Sequence, residues 1–298
     1  MVNELKFGII GESPGNGHPY SWSAIFNGYN EDEMRKCPYP IIYEYLKLQK
    51  FPEDFLNSGK VTHIWTQNKE NSKFISKCSK IPNLVDNVSD LVGKVDAILL
   101  ARDDANNHYE NSKIFIEKGI PIYIDKPLGT KLNDAKKILE NIKDDTKIFT
   151  CSALSYSPKL KKQFRNIFLK EKITNVKAII KGEWETYAIH LIEPILKHLV
   201  NWENNFSLVH KSKIKSKTEL IFISDDETKL NIICDKDFTS NPTFEIKTLK
   251  NNHQIIFDEN FLSFKCALQE FINIVNKVKA PISRNFLLKT ISLVEKGI

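Results

Sequence analysis

Residues 5–18 read Leu5-Lys6-Phe7-Gly8-Ile9-Ile10-Gly11-Glu12-Ser13-Pro14-Gly15-Asn16-Gly17-His18. A short apolar run ending at Gly11 predicts a buried strand, and the glycines beyond it predict a tight turn into a first helix. In that place a glycine-rich turn lets backbone N–H groups approach a pyrophosphate, while the helix N-terminus adds its positive end. The spelling departs from G-x-G-x-x-G, because Ser13 stands at the second glycine and the loop is longer. Gly11, Ser13, Gly15, Asn16 and Gly17 are the candidate pyrophosphate contacts, beside the plainer alternative of a turn with no ligand.

Outward from this loop, strand-like segments at 61–66, 95–101, 120–124 and 147–151 alternate with helix-like ones at 43–48, 70–78, 108–118 and 133–142. The helical stretches carry apolar residues three or four apart, and Gly119 stops one of them directly before a strand. Repeated strand, helix, strand means a parallel sheet wound by right-handed crossovers, so 1–154 is read as an α/β Rossmann-type, doubly wound dinucleotide-binding domain. After about Ser155 the grammar changes. A strand at 177–184 and a helix at 191–200 precede strands at 208–214, 219–223, 229–234, 244–249 and 254–257, and helices at 261–278 and 286–296 close the chain. Consecutive strands joined by short polar turns imply a largely antiparallel sheet, making 155–298 an α+β domain distinct from the first. An uncovered sheet face predicts a homo-oligomer, dimer or tetramer.

The chain has 298 residues, 41% hydrophobic and 27% charged, enough apolar material for a core and enough charge for solubility. No apolar run approaches the roughly 18 residues of a membrane span, and the N-terminus lacks the basic and apolar regions of a signal peptide, which predicts a cytoplasmic protein. Five cysteines, Cys37, Cys78, Cys151, Cys234 and Cys266, are odd in number and never form C-x-x-C. They argue against a disulfide framework or a metal site and read as reduced thiols. The net charge of +6 is modest, and with no basic helix or RNA-binding motif, nucleic acid is not an expected partner. Lys211, Lys213, Lys215 and Lys217 alternate so as to share one face of a strand, which reads as a protected edge or as a platform for an acidic ligand.

The second strand ends Trp65-Thr66-Gln67-Asn68-Lys69, with no carboxylate where an NAD site holds its adenine ribose. Thr66 and Gln67 are the ribose candidates and Lys69 the 2′-phosphate candidate, so NAD and NADP both stay open. Residues 119–128, GIPIYIDKPL, place Asp125 and Lys126 at the carboxyl end of a strand, where ligands of doubly wound sheets sit. Pro127 biases Lys126 toward an extended backbone, and an ammonium so aimed suits a general acid or base. Arg102, with Asp103 and Asp104, follows the third strand and is either a cofactor or substrate contact or a solvated loop.

Asp125-Lys126-Pro127, preceded by the strand 95–101, His108 and Gly119, resembles the Glu-Lys-Pro region of the Gfo/Idh/MocA family of sugar and inositol oxidoreductases. The resemblance runs over nearly the whole chain. It implies a Rossmann domain followed by an α/β domain with an open sheet, which gives 155–298 substrate binding and oligomerisation, a cofactor that is NAD or NADP, and a small sugar-like substrate. That substrate would be a sugar, amino sugar or nucleotide-linked sugar exchanging a hydride at a hydroxyl or ketone carbon. Thr186-Tyr187-Ala188-Ile189-His190-Leu191-Ile192-Glu193-Pro194 is similar to the family's D-x-x-x-H segment, with Thr186 in place of the aspartate. The resemblance makes Lys126 and His190 the proton-handling pair and Tyr187 their reserve. Independently of it, Pro194 marks a helix start, with His190 near the positive end as catalyst or cap. The irregular glycine loop, the missing acid and Thr186 leave one alternative, a non-catalytic dinucleotide or sugar-nucleotide sensor or assembly protein. The long stretch between Gly11 and Val61 predicts a lip over the site or a subunit contact, and Trp22 and Trp184 are read as core residues before sugar platforms.

Overall fold

The computed structural model describes residues 4–298. The chain forms two compact units. One comprises the chain up to Leu128 with Lys137–Thr150 and Phe264–Pro281; the other comprises Gly129–Lys136, Cys151–Ser263 and Ile282–Ile298.

The first unit holds a parallel sheet of β1 (Leu5–Gly11), β2 (Gly59–Thr66), β3 (Asn83–Leu84), β4 (Ala97–Leu100), β5 (Ile122–Ile124) and β6 (Ile148–Phe149). Their spatial order is β3-β2-β1-β4-β5-β6, the Rossmann order, whose direction reverses between β1 and β4. Phe7, Ile9 and Ile10 of β1 are fully buried, and Gly8 lets Leu91 and Ile98 close in to where a Cβ would meet them at 3.1 and 3.2 Å. α1 (His18–Asn27) leaves the glycine loop with every residue from Pro19 to Phe26 buried. A helix buried all round carries no apolar stripe, so its bounds were not legible as periodicity. Trp22 is a core residue, stacked on Tyr123 at 4.6 Å, and Tyr123 in turn meets Phe149 at 4.7 Å. Phe271, from the C-terminal part of the chain, joins this aromatic core at 6.2 Å from Phe7 and 5.8 Å from both Tyr123 and Phe149.

The segment between α1 and β2 forms α2 (Glu31–Met34) and α3 (Pro40–Leu46), the latter starting three residues before the expected 43 because Pro40 suits a first helical turn. It packs on the glycine loop: a Cβ on Gly17 would stand 2.5 Å from Ile42 Cδ1 and 2.8 Å from Tyr39 Cδ2. Along the chain follow α4 (Lys69–Cys78), α5 (His108–Glu117), α6 (Leu132–Glu140) and α7 (Pro158–Lys170).

In the second unit the strands β7 (Ile173–Ile180), β8 (Phe206–Ile214), β9 (Lys217–Ser224), β10 (Lys229–Asp235), β11 (Thr243–Thr248) and β12 (Asn252–Ile256) are ordered β12-β11-β7-β10-β9-β8. β7 and β10 run parallel and the other neighbours antiparallel, so the sheet is mixed but mostly antiparallel. Alternation along β9 buries Thr218, Leu220, Phe222 and Ser224 and turns Ile221 and Ile223 outward. Three expectations are corrected here. The strand expected over 177–184 ends at Ile180, and Trp184 opens the short helix α8 (Trp184–Tyr187), donating from Nε1 to the Val294 carbonyl at 2.7 Å. Pro194 lies inside α9 (Ile189–His198), not at its start, since the preceding α8 and Ala188 already set helical geometry; it has no N–H to offer the His190 carbonyl. The four lysines do not share a strand. β8 ends at Ile214, Lys215 turns the hairpin at φ 52°, and Lys217 opens β9, while β8 is an edge of its sheet. Among the described residues no helix is long and apolar enough to cross a membrane.

Candidate functional site

At the carboxyl ends of β1, β2, β4 and β5 the first unit gathers most of the polar residues singled out above. Asp125 follows β5 and is 1% exposed. It accepts from Asn16 Nδ2 at 2.7 Å and from the Lys126 backbone N–H at 2.8 Å, and it pairs with His18 Nδ1 at 2.6 Å. Burial alone raises its pKa, but the His18 and Lys126 charges and the hydrogen bonds from His18 and Asn16 outweigh that and hold it well below the usual carboxylate range. Asn16 also caps the start of α1, accepting from the His18 N–H at 2.8 Å. The His18 ring stacks on Trp22 at 4.9 Å, so one imidazole ties the glycine loop to the end of β5.

Lys126 is 4% exposed and its ammonium lies 3.4 Å from Asp103 Oδ2. Asp103 is fixed in turn by Ser13, whose hydroxyl donates to Oδ1 at 2.6 Å and accepts the Asp103 N–H at 3.1 Å. The second loop position thus carries a serine because its hydroxyl braces the carboxylate that receives the lysine. Arg102 is 9% exposed and is spent on neighbours: Nε and Nη2 hold Asp104 at 2.9 and 2.5 Å, and Nη1 donates to Gln67 Oε1 at 2.9 Å. His108 is fully buried, with Nε2 2.7 Å from the Arg102 carbonyl and Nδ1 3.3 Å from that of Leu128. Its burial lowers its pKa and makes it a brace of this loop.

Gln67 clamps the Glu12 backbone from both sides, accepting its N–H at 2.9 Å and donating to its carbonyl at 2.6 Å. Thr66 is 4% exposed and its hydroxyl is engaged with the Asn68 carbonyl at 2.6 Å and Ser72 Oγ at 2.8 Å, closing the start of α4 (Lys69–Cys78). Lys69 pairs with Asp86 at 2.6 Å on the surface.

A dinucleotide suits these residues. Gly15 takes φ 84° with open space where a Cβ would point, and a Cβ on Gly11 would collide with Pro19 Cγ at 2.6 Å, so the helix packs directly on the strand end. α1 points its positive end at this loop, its own first N–H groups being taken by Asn16 Oδ1 and the Gly17 carbonyl.

The second unit holds the other candidates. His190 Nδ1 lies 2.9 Å from Ser152 Oγ, and the Ser152 backbone N–H donates to Glu193 Oε2 at 2.7 Å. Tyr187 is 37% exposed, its ring 5.9 Å from that of His190. Glu193 is 2% exposed, and burial pushes its pKa up to about 7. Sequence reading missed His18 and Ser152 as site residues. Each acts through a partner far along the chain, 107 positions for His18 and 38 for Ser152, a pairing that no local pattern announces.

The glycine loop, the reversal of strand order and the lysine after β5 define a Rossmann unit of the dinucleotide-binding class. Residues 41–152 match the family model described as oxidoreductase family, NAD-binding Rossmann fold, a stretch that includes the Asp125-Lys126-Pro127 region likened above to the Gfo/Idh/MocA family. Solved structures extend the likeness of fold to the rest of the chain. An oxidoreductase from Thermotoga maritima is 15% identical with a TM-score of 0.71, covering 98% of this chain and 95% of its own. Scyllo-inositol dehydrogenase from Lactobacillus casei is 12% identical with a TM-score of 0.74, covering 98% and 94%. Myo-inositol 2-dehydrogenase from Lactobacillus plantarum is 13% identical with a TM-score of 0.73, covering 98% and 96%. No curated protein matches the sequence.

Proposed function

We propose that this chain is a nicotinamide-dependent oxidoreductase that moves a hydride between NAD or NADP and a carbon bearing a hydroxyl or ketone of a polyol or sugar. The observation that carries this reading is Lys126: a buried ammonium at the carboxyl end of β5, held by an aspartate that the glycine loop itself braces. When bound, the nicotinamide ring supplies the hydride acceptor or donor. In the first unit, Gly11, Gly15, Gly17 and the start of α1 hold the pyrophosphate, and Lys126 hydrogen-bonds the reacting oxygen and passes its proton. In the second unit, His190 is the partner acid or base. Its Nδ1 rests on a hydroxyl that both donates and accepts, so the imidazole keeps its orientation in either tautomer. Tyr187 is the reserve donor. The inositol dehydrogenases of like fold favour cyclic polyols as the first substrates to try, with amino sugars and nucleotide-linked sugars after them. The outward isoleucines Ile221 and Ile223 on the second sheet favour a homo-oligomer.

The test is absorbance at the reduced-nicotinamide band over a panel of inositols and sugars with either cofactor, for the wild type and for Lys126→Met. The variant is expected to bind cofactor as before and to lose turnover by about 10²–10⁴-fold. Turnover like the wild type's would remove Lys126 from the reaction. Tight cofactor binding with no substrate turned over in either direction would leave the sensor as the function.

A further inference from the structure

We infer that Glu12 is the acid that reads the adenine ribose, and that the chain therefore takes NAD(H) in preference to NADP(H). This rests on the reading that the crevice holds a nicotinamide dinucleotide.

In a dinucleotide site the ribose hydroxyls meet a carboxylate at the end of the second strand. Here β2 ends without one, yet the structure brings one to the same place from the neighbouring strand. Gly11 stands opposite Thr66 in the β1–β2 register, so Glu12 and Gln67 are the next residues beyond the two strand ends. The clamp of Gln67 on both backbone groups of Glu12 holds that register past the last strand pair. The Glu12 carboxylate reaches across to the first turn of α4, where Oε1 accepts from Asn71 Nδ2. It therefore lies against the helix that follows β2, beside the position of the usual acid, and is only partly covered.

The charges around it decide which cofactor fits. An arginine near this point is the usual receiver of a 2′-phosphate, but Arg102 is already engaged by both oxygens of Asp104 and by Gln67. Lys69, the other cation near the β2 end, is paired with Asp86. With both cations matched by their own carboxylates, Glu12 is the acid left to face the ribose. A diol donates to that acid, whereas a 2′-phosphate brings further negative charge against it.

The experiment is calorimetric binding of NADH, NADPH and an NADH analogue lacking the adenosine 2′-hydroxyl to the full chain and to Glu12→Gln. The wild type is expected to bind NADH at least about tenfold more tightly than NADPH. It should bind the deoxy analogue about 10- to 100-fold more weakly than NADH, the range for a hydrogen bond to a charged group. Glu12→Gln should shrink both ratios by about tenfold, and Glu12→Asp should restore part of the first. Equal binding of NADH and NADPH by the wild type, or ratios unchanged in Glu12→Gln, overturns the assignment while the dinucleotide reading stands. Failure of the wild type to bind either cofactor overturns both. Should Glu12→Gln not fold, the two wild-type ratios decide alone.

Discussion

Glu193→Gln is expected to stabilise the protein in mild alkali and to leave it nearly unchanged in mild acid. Glu193 is 2% exposed, with Oε2 on the Ser152 N–H at 2.7 Å. Burial raises its pKa to about 7, and the charge of Lys197, the Ser152 N–H and the Ser155 hydroxyl pull it down only in part. A folded-state pKa above the unfolded value means that the group's contribution to stability is complete below about pH 4.5 and is lost as pH rises through about 7. The gap of about two and a half pH units, at about 1.4 kcal/mol each, makes the loss roughly 3 kcal/mol by pH 8.5. Glutamine stays neutral throughout, and its carbonyl oxygen can still accept from Ser152. Urea unfolding followed by circular dichroism should therefore show the variant about 2–3 kcal/mol more stable than the wild type at pH 8.5. At pH 5 the two should agree within about 1 kcal/mol. A stability difference that does not change with pH, or a variant weaker than the wild type at pH 8.5, would refute the reasoning.

Asp125→Asn should act with the opposite sign. The Asp125 pKa is depressed, so its stabilisation is present above about pH 4 and is lost as pH falls through the folded-state value. Taking the charge from its pairing with His18 should cost about 3–5 kcal/mol at pH 7, shrinking below about pH 4, as read by unfolding midpoints over that range. Phe271→Ala should cost about 3–5 kcal/mol in the same assay, because it empties the side of the aromatic core that Phe7, Tyr123 and Phe149 share. A loss under about 1 kcal/mol would mean that Phe271 does not support the first sheet.

What is local or periodic can be read from the order of residues alone. Alternating strand and helix grammar is enough to foresee the parallel sheet. A run of strands with polar turns is enough for the second sheet, and Gly11, Gly15 and Lys126 each declare themselves by residue type beside a strand end. What depends on chain segments far apart emerges only once the chain is folded. α1 escaped because a helix buried on every side has no stripe, and Pro194 misled because the preceding turn of α8 had already set the helical path. The site's wiring is of the second kind. Ser13 bracing Asp103, Asn16 and His18 sharing Asp125, and Gln67 clamping the Glu12 backbone all join residues some 55 to 110 positions apart. A hydrogen bond forms between atoms within about 3 Å of each other, and the chain brings such residues that close only when the crossovers stack their strand ends side by side.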